Sequence, residues 1–260
     1  MSLAVIKLGG NEVDDAEWLA RLADAVAARA GRAVLGHGGG KEVTLLQRAL
    51  GAEPEWRDGL RVTSEEGMRA VAMVLSGLVN KRIASALLTA GVDAVGISGE
   101  DGALLEADVA RGGAMGRIGE VRRVRSALLH GLLAQGLVPV VSPVSRGPDG
   151  RALNVNADDA AAAVAAAMGA CELLFVSNVP GVLADGAVVG AIGADEVEAL
   201  IADGTAAGGM APKLRAAARA AAGGVGVRIG GVEMLGDEAA GTRVHAARTG
   251  AGATPEGAWR

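Results

Sequence analysis

Apolar residues along this chain fall into short unbroken runs, separated by stretches where they recur every three or four positions. The runs Leu3–Lys7, Arg32–Gly36, Asp93–Ile97, Leu137–Ser142, Glu172–Ser177 and Val225–Ile229 read as strands. The helical spacing predicts helices over Asp15–Ala30, Lys41–Leu50, Ser64–Ala90 with a break near Gly77, Ser126–Ala134, Asp158–Met168, Asp195–Ala202 and Ala211–Ala222. Strands that alternate with helices predict an α/β fold: a mainly parallel central sheet with helices on both faces, a three-layer αβα sandwich. Two stretches break the alternation and read as β-hairpins. They are Ala103–Val124, turning at Gly112-Gly113, and Val141–Leu153, turning at Gly147–Gly150.

Composition narrows the classes. Half of the 260 residues are hydrophobic, enough for one large domain. No composition shift marks a boundary. The expectation is a single domain over 1–250, with an N-lobe over about 1–169, a C-lobe over about 170–247 and a frayed tail at 248–260. The net charge of −5 argues against a nucleic-acid footprint. No uncharged apolar stretch reaches the ~18 residues of a membrane span. Lys7 comes too early for a signal-peptide core. The single cysteine, Cys171, fits a reducing, cytoplasmic setting. The richness in Ala, Gly and Arg reads as genomic bias.

The run "VLGHGGGKEVT" at 34–44 looks like a phosphate loop but fails the Walker rule. That rule needs a glycine at 35 and a hydroxyl after Lys41; the chain has Leu35 and Glu42. Three glycines between a strand and a helix still let a backbone approach a ligand closely. His37 beside them reads as local packing and Lys41 as a solvated charge. Open parallel sheets bind ligands beyond the carboxyl ends of their strands, and three more motifs fall there. "VIKLGGN" places Lys7 before the bare turn Gly9-Gly10. "LNVNADD" puts Asn154 and Asn156 on one side of an extended segment and Asp158 at a helix start. "GGMAPK" places Lys213 in a first helical turn, where a cation opposes the helix dipole and calls for an anionic partner. Two lysines, two glycine turns and one carboxylate point to phosphoryl transfer, which is mostly positioning and charge neutralisation.

Taken in order, "IKLGG", "HGGG", "GLRVT", "GLVNK", "VGISGEDG", "LNVNADDAA", "SNVPGVL" and "GGMAPK" resemble the amino acid kinase family, and within it the acetylglutamate kinase branch. The resemblance implies the fold of that family and an ATP-dependent phosphorylation of the side-chain carboxylate of N-acetyl-L-glutamate, with Mg2+ held mainly by the nucleotide. It implies that Lys7 and Lys213 stabilise the transferring phosphoryl group and that Asp158 holds both lysines. It implies amino-acid binding by Gly39, Gly40, Arg61, Asn154 and Asn156. The nucleotide would lie against Gly9, Gly10, Asn178, Val179, Pro180, Gly181, Val182, Leu183, Thr205, Gly209 and Met210. A carboxylate is already a nucleophile, so no general base is required.

Asn178 departs from the branch, which mostly carries Asp there. "SNVPG" is similar instead to kinases of lysine biosynthesis that act on carrier-linked aminoadipate. An acidic carrier protein would then dock on the ribbon holding Arg111, Arg117, Arg122, Arg123 and Arg125, which otherwise reads as solvated. A non-catalytic regulator on the same fold is the remaining alternative. Only Met1 and Ser2 precede the first strand. The N-terminal helix that the resemblance associates with hexamers therefore has no room, and a homodimer is expected. Its contact is expected on Met68, Val71, Ala72, Leu75, Leu78 and Val79 of the long helical stretch.

Overall fold

The computed structural model describes residues 2–10, 12–29, 32–57 and 60–247. The tail at 248–260 lies outside the described residues, as do Asn11 of "LGGN", Ala30 at the end of the first predicted helix and Gly59 of "GLRVT". In chain order the elements are β1 Leu3–Leu8, α1 Ala16–Ala28, β2 Arg32–His37, α2 Gly40–Ala49, β3 Glu55–Arg57, β4 Leu60–Val62 and the long helix α3 Glu65–Thr89. There follow β5 Ala94–Ser98, β6 Leu105–Val109, β7 Ile118–Val124, α4 Ser126–Ala134, β8 Val138–Ser142, β9 Val144–Arg146, β10 Ala152–Val155 and α5 Ala157–Met168. The last third holds β11 Glu172–Val176, β12 Leu183–Ala184, β13 Ala187–Val188, β14 Ala191–Gly193, α6 Val197–Ala202, α7 Met210–Ala222, β15 Gly226–Gly230 and β16 Thr242–His245.

One eight-stranded sheet in the order β14-β16-β15-β11-β1-β2-β8-β5 forms the middle layer. Every ladder in it is parallel except β15 with β16. Its inner strands are mostly apolar because both faces are covered, whereas β16 alternates buried Thr242 and Val244 with exposed Arg243 and His245. In β1, Val5 joins the core under α5 and α7, while Ile6 and Leu8 join the core under α1 and α3. The two expected hairpins form, and they close on each other: β6, β7, β9 and β10 make a small barrel beside the sheet. Two short hairpins not marked by the sequence reading, β3–β4 and β12–β13, complete the strands outside the sheet.

The expected break near Gly77 does not occur. Helix α3 runs on through a widened π-helical turn at Met73–Val79, which absorbs the irregularity without ending the helix. The dimer expectation also changes. Met68, Val71, Leu75 and Val79 are buried inside the chain, so this face is core; Met73, Leu78 and Leu88 are the large apolar residues that α3 exposes. The same burial explains why α3 passes the length and hydropathy test of a membrane span. It is a core helix, with Asn80 and Ile83 fully inside.

Candidate active site

Lys7 ends the central strand. Its register partner on β11 is Phe175, so both side chains leave the same face of the sheet, toward α5 and α7. Asp158 lies in the first turn of α5. The cap of that helix is Asn156, whose Oδ1 accepts from Asp158 N at 2.8 Å and Asp159 N at 3.2 Å. Capping fixes the first turn and thereby the direction of the Asp158 carboxylate. Oδ1 of Asp158 is 2.7 Å from Lys7 Nζ and 3.3 Å from Lys213 Nζ. All three side chains are under 10% exposed. Lys213 also sits over the Phe175 ring, 5.4 Å from its centroid.

These placements set the charges. Burial works against the Asp158 carboxylate, but Lys7 and Lys213 hold it below the ordinary range and keep it ionised. Burial, then the charge of Lys7, pushes Lys213 down to about 8, against the pull of Asp158. The anionic partner that a first-turn lysine calls for is therefore Asp158. The neighbouring Asp159 is an ion-pair residue rather than a plain dipole charge, since it holds Arg219 of α7.

A cavity of about 170 Å³ reaches Ala157, the residue before Asp158. Gly39, Gly40, Arg61, Leu75, Asn154 and Asn156 line it. Gly39 has no space for a side chain, because a Cβ there would lie 2.8 Å from Leu75 and 3.1 Å from Val79. Arg61 is 6% exposed and fixed on three sides. It donates to Gln47 Oε1 at 2.6 Å, Thr44 Oγ1 at 2.7 Å and Gly40 O at 2.8 Å, and it stacks 4.4 Å from the Trp56 ring centroid. Asn154 donates to Thr63 Oγ1 at 3.0 Å, and Thr63 in turn to Arg61 O at 2.9 Å. Asn154 and Asn156 do line one cavity, but Asn156 spends its carbonyl oxygen on the cap.

The loop before α2 has its own support. His37 lies 1% exposed, and burial takes it down to about 4, so it is neutral. Its Nδ1 lies 2.9 Å from Gly38 O and its Nε2 lies 3.1 Å from Asn80 Nδ2. Asn80 also donates to Val140 O at 2.9 Å and Ile97 O at 3.2 Å. Gly38 O can only accept, so in the neutral ring Nδ1 carries the proton and donates to it, and Nε2 is left as the acceptor facing the Asn80 amide nitrogen. Lys41, expected as a solvated charge, pairs with Asp14 at 2.6 Å. Gln47, Thr44, Trp56, Thr63 and Asn80 escaped the sequence reading, because nothing in a single helical or extended position announces a partner across the fold.

The residues assigned to the nucleotide lie around the carboxyl end of β11 and the start of α7. Gly181 and Val182 are buried. Val182 N donates to Thr242 Oγ1 at 2.8 Å, and a Cβ on Gly181 would meet Val188 at 2.6 Å and Thr242 at 2.7 Å. Asn178, Pro180, Leu183 and Gly209 are exposed; Val179, Thr205 and Met210 are half-buried. The Gly9-Gly10 turn joins the two parts, and a Cβ on Gly10 would lie 2.7 Å from Gly39 N. The arginine ribbon is largely spoken for. Arg117 is buried against Asp149, Arg122 and Arg123 pair with Glu106, and Arg125 donates to Gly102 O at 2.8 Å.

A central strand ending in Lys7, with Asp158 and Lys213 brought to it from two helices and bare glycine turns nearby, is the layout of a phosphoryl-transfer fold without a Walker loop. The chain belongs to the amino acid kinase family, whose profile matches residues 2–231. The acetylglutamate kinase of Roseiflexus sp. is 49% identical over 234 residues, which cover 89% of each chain. That of Geobacillus stearothermophilus is 46% identical over 215 residues, covering 82% of this chain and 83% of the relative. Among solved structures, smu.665 from Streptococcus mutans superposes with a TM-score of 0.81 at 29% identity, over 94% of this chain and 98% of that one. An N-acetylglutamate synthase from Neisseria gonorrhoeae, solved with coenzyme A and N-acetyl-glutamate, gives 0.79 at 26% identity, over 94% of this chain and 59% of that one.

Proposed function

We propose that this kinase uses ATP to phosphorylate the side-chain carboxylate of N-acetyl-L-glutamate, in arginine biosynthesis. The observation that carries the reading is the joining of two parts: a cavity bearing a fixed guanidinium and a loop of bare glycines, which reaches Ala157 at the start of the helix that carries Asp158, and the cluster of Lys7, Asp158 and Lys213. Arg61 has the planar fork that suits the carboxylate that does not react. Asn154 and the amides of Gly39 and Gly40 orient the acyl-amino end. A side-chain carboxylate oxygen forms the new O–P bond to the γ-phosphorus as the bond to the ADP oxygen breaks. No proton needs to be moved. Lys7 and Lys213 face the equatorial oxygens, where charge is spread in the transition state. Asp158 keeps both ammoniums apart and aimed. Mg2+ carried with the nucleotide would neutralise phosphate charge.

The same reading assigns residues up to about 169 to the amino acid and dimer contact, and about 170–247 to the nucleotide. It places the protein in the cytoplasm as a homodimer whose contact includes Met73, Leu78 and Leu88; light scattering at about twice 25.7 kDa would support the dimer. A carrier-linked substrate is the second reading, on the strength of Asn178. It is disfavoured by the arginine ribbon, whose charges are mostly paired within the chain. A coupled ADP-release assay with N-acetylglutamate, N-acetylaminoadipate and free glutamate separates these. Saturable turnover of free N-acetylglutamate supports the proposal; turnover only with an acidic carrier protein, or none at all, sinks it.

A further inference from the structure

The face of the sheet that bears Lys7 continues one step toward its carboxyl end. Gly9 N donates to Val176 O at 2.7 Å and Ser177 N to Gly230 O at 2.8 Å, so the ladder persists past the last strand residues. Side chains alternate, so positions 9 and 177 face the same way as Lys7 and Phe175. Two polar groups there have no partner among the described residues, and one of them, Ser177 Oγ, is fully buried. The Glu12 carboxylate occupies the place that a Cβ on Gly9 would take. Glu12 is only 8% exposed, and no hydrogen bond or ion pair among the described residues reaches its carboxylate.

Buried polar groups without partners cost free energy and are rare. The charge count deepens the anomaly. Lys7 and Lys213 pair with Asp158, and Glu12 adds a second carboxylate at the adjoining Gly9 turn, where a polyphosphate is to sit. A carboxylate next to a phosphate turn repels its ligand unless a cation lies between them. Mg2+ keeps several waters and is typically bound through one or two carboxylates together with substrate phosphates. Asp158 is already committed to two lysines, which leaves Glu12.

We propose that Glu12 is a ligand, direct or through water, of the divalent cation that enters with the nucleotide, with the Ser177 hydroxyl beside it. This rests on the ATP reading above. It adds a protein side chain to a metal otherwise held by phosphates alone, and it gives the residue after Asn11 a role that no glycine motif supplies.

The test is direct binding of ADP to the full chain by calorimetry, with Mg2+ and with EDTA, for wild type, Glu12→Gln and Glu12→Ala. Wild type should bind ADP more tightly with Mg2+. Both variants should lose about 10-fold of that metal-dependent gain. With EDTA they should bind ADP as well as wild type or better, because a repelling carboxylate is gone. Circular dichroism checks their folding, and titration of Mn2+ in the presence of ADP, followed by electron paramagnetic resonance, should show weaker metal binding in both. An unchanged Mg2+ gain, or equal weakening with and without metal, would overturn the inference while leaving the kinase reading intact. Absence of ADP binding by the wild type under both conditions would overturn the nucleotide reading and this inference with it.

Discussion

Replacing Lys213 by Met should cripple the enzyme and stabilise the protein. Within the fold Lys213 loses its proton near 8, whereas an unfolded lysine holds it to 10.5. That gap already includes the pull of Asp158, so it measures what the fold loses by keeping this residue charged. It amounts to about 3 kcal/mol. Below pH 8 both states are protonated and the full penalty is present. Between about 8 and 10.5 the folded lysine is neutral while the unfolded one is charged, so wild-type stability rises with pH. Above 10.5 the penalty is gone. Met keeps the stem and removes the ammonium, leaving Lys7 and Asp158 as a neutral pair at 2.7 Å. At pH 7 the variant should unfold with about 3 kcal/mol more, raising Tm by roughly 6–12 °C. At pH 9.5 the gain should shrink to about 1 kcal/mol. The same variant should lose about 100-fold or more in kcat. Thermal melts at both pH values and a coupled ADP assay measure all of this. A variant no more stable than wild type at pH 7, or a gain that does not shrink with pH, would refute the electrostatic reasoning.

Two more outcomes follow from the same geometry. Arg61→Lys loses the fork and the Trp56 stacking, so KM for N-acetylglutamate should rise about 10-fold or more while KM for ATP stays near wild type; equal changes in both would count against an amino-acid role. His37→Asn keeps a donor near the position of Nδ1 and should hold the Gly38 carbonyl, whereas His37→Gln should not. KM for the amino acid should therefore separate the two variants, and since burial keeps His37 near 4, the wild-type rate profile from about pH 5 to 8 should carry no histidine step.

Much of this site was legible because open α/β sheets put their chemistry in one place. Six apolar runs matched six of the eight strands of the central sheet, missing the short β14 and β16, and the carboxyl ends of those runs pointed to Lys7, the glycine loop and, by the same logic, Asp158 and Lys213. What the sequence withheld is what depends on partners far along the chain. Asn154 and Asn156 look equivalent as letters, yet one faces Thr63 and the other caps a helix. Arg61 needs Gln47 and Thr44, which are ordinary positions of an amphipathic helix until a guanidinium arrives. Of the apolar positions of the long helix expected at a second copy, Met68, Val71, Leu75 and Val79 are buried within the chain, while Leu78 stays exposed. Burial inside one chain and burial against a second copy leave the same periodicity, and here the chain's own sheet and glycine loop claim it. Gly77 read as a break because glycine costs about 1 kcal/mol in a helix interior; packing on both sides outweighs that.

The alanine richness, which as composition reads as bias, takes on a physical role in the fold. Asp158 and Lys213 sit on different helices, α5 and α7, and must come within 3.3 Å. Interaxial distance is set by the side chains at the contact. Both helices enter their shared core largely through alanines, among them Ala162 and Ala165 of α5 and Ala216, Ala217 and Ala220 of α7, all buried. Larger residues at those positions would widen the gap and pull Lys213 away from the carboxylate. Lys7 enters from the sheet beneath, so the cluster depends on strand and helices meeting at one depth. A glycine turn approaches a ligand closely because it lacks a side chain; these two helices approach each other closely because theirs are nearly absent. The same economy of volume therefore builds both halves of the candidate site, the bare turns assigned to the phosphates and the thin helical seam that places the charges.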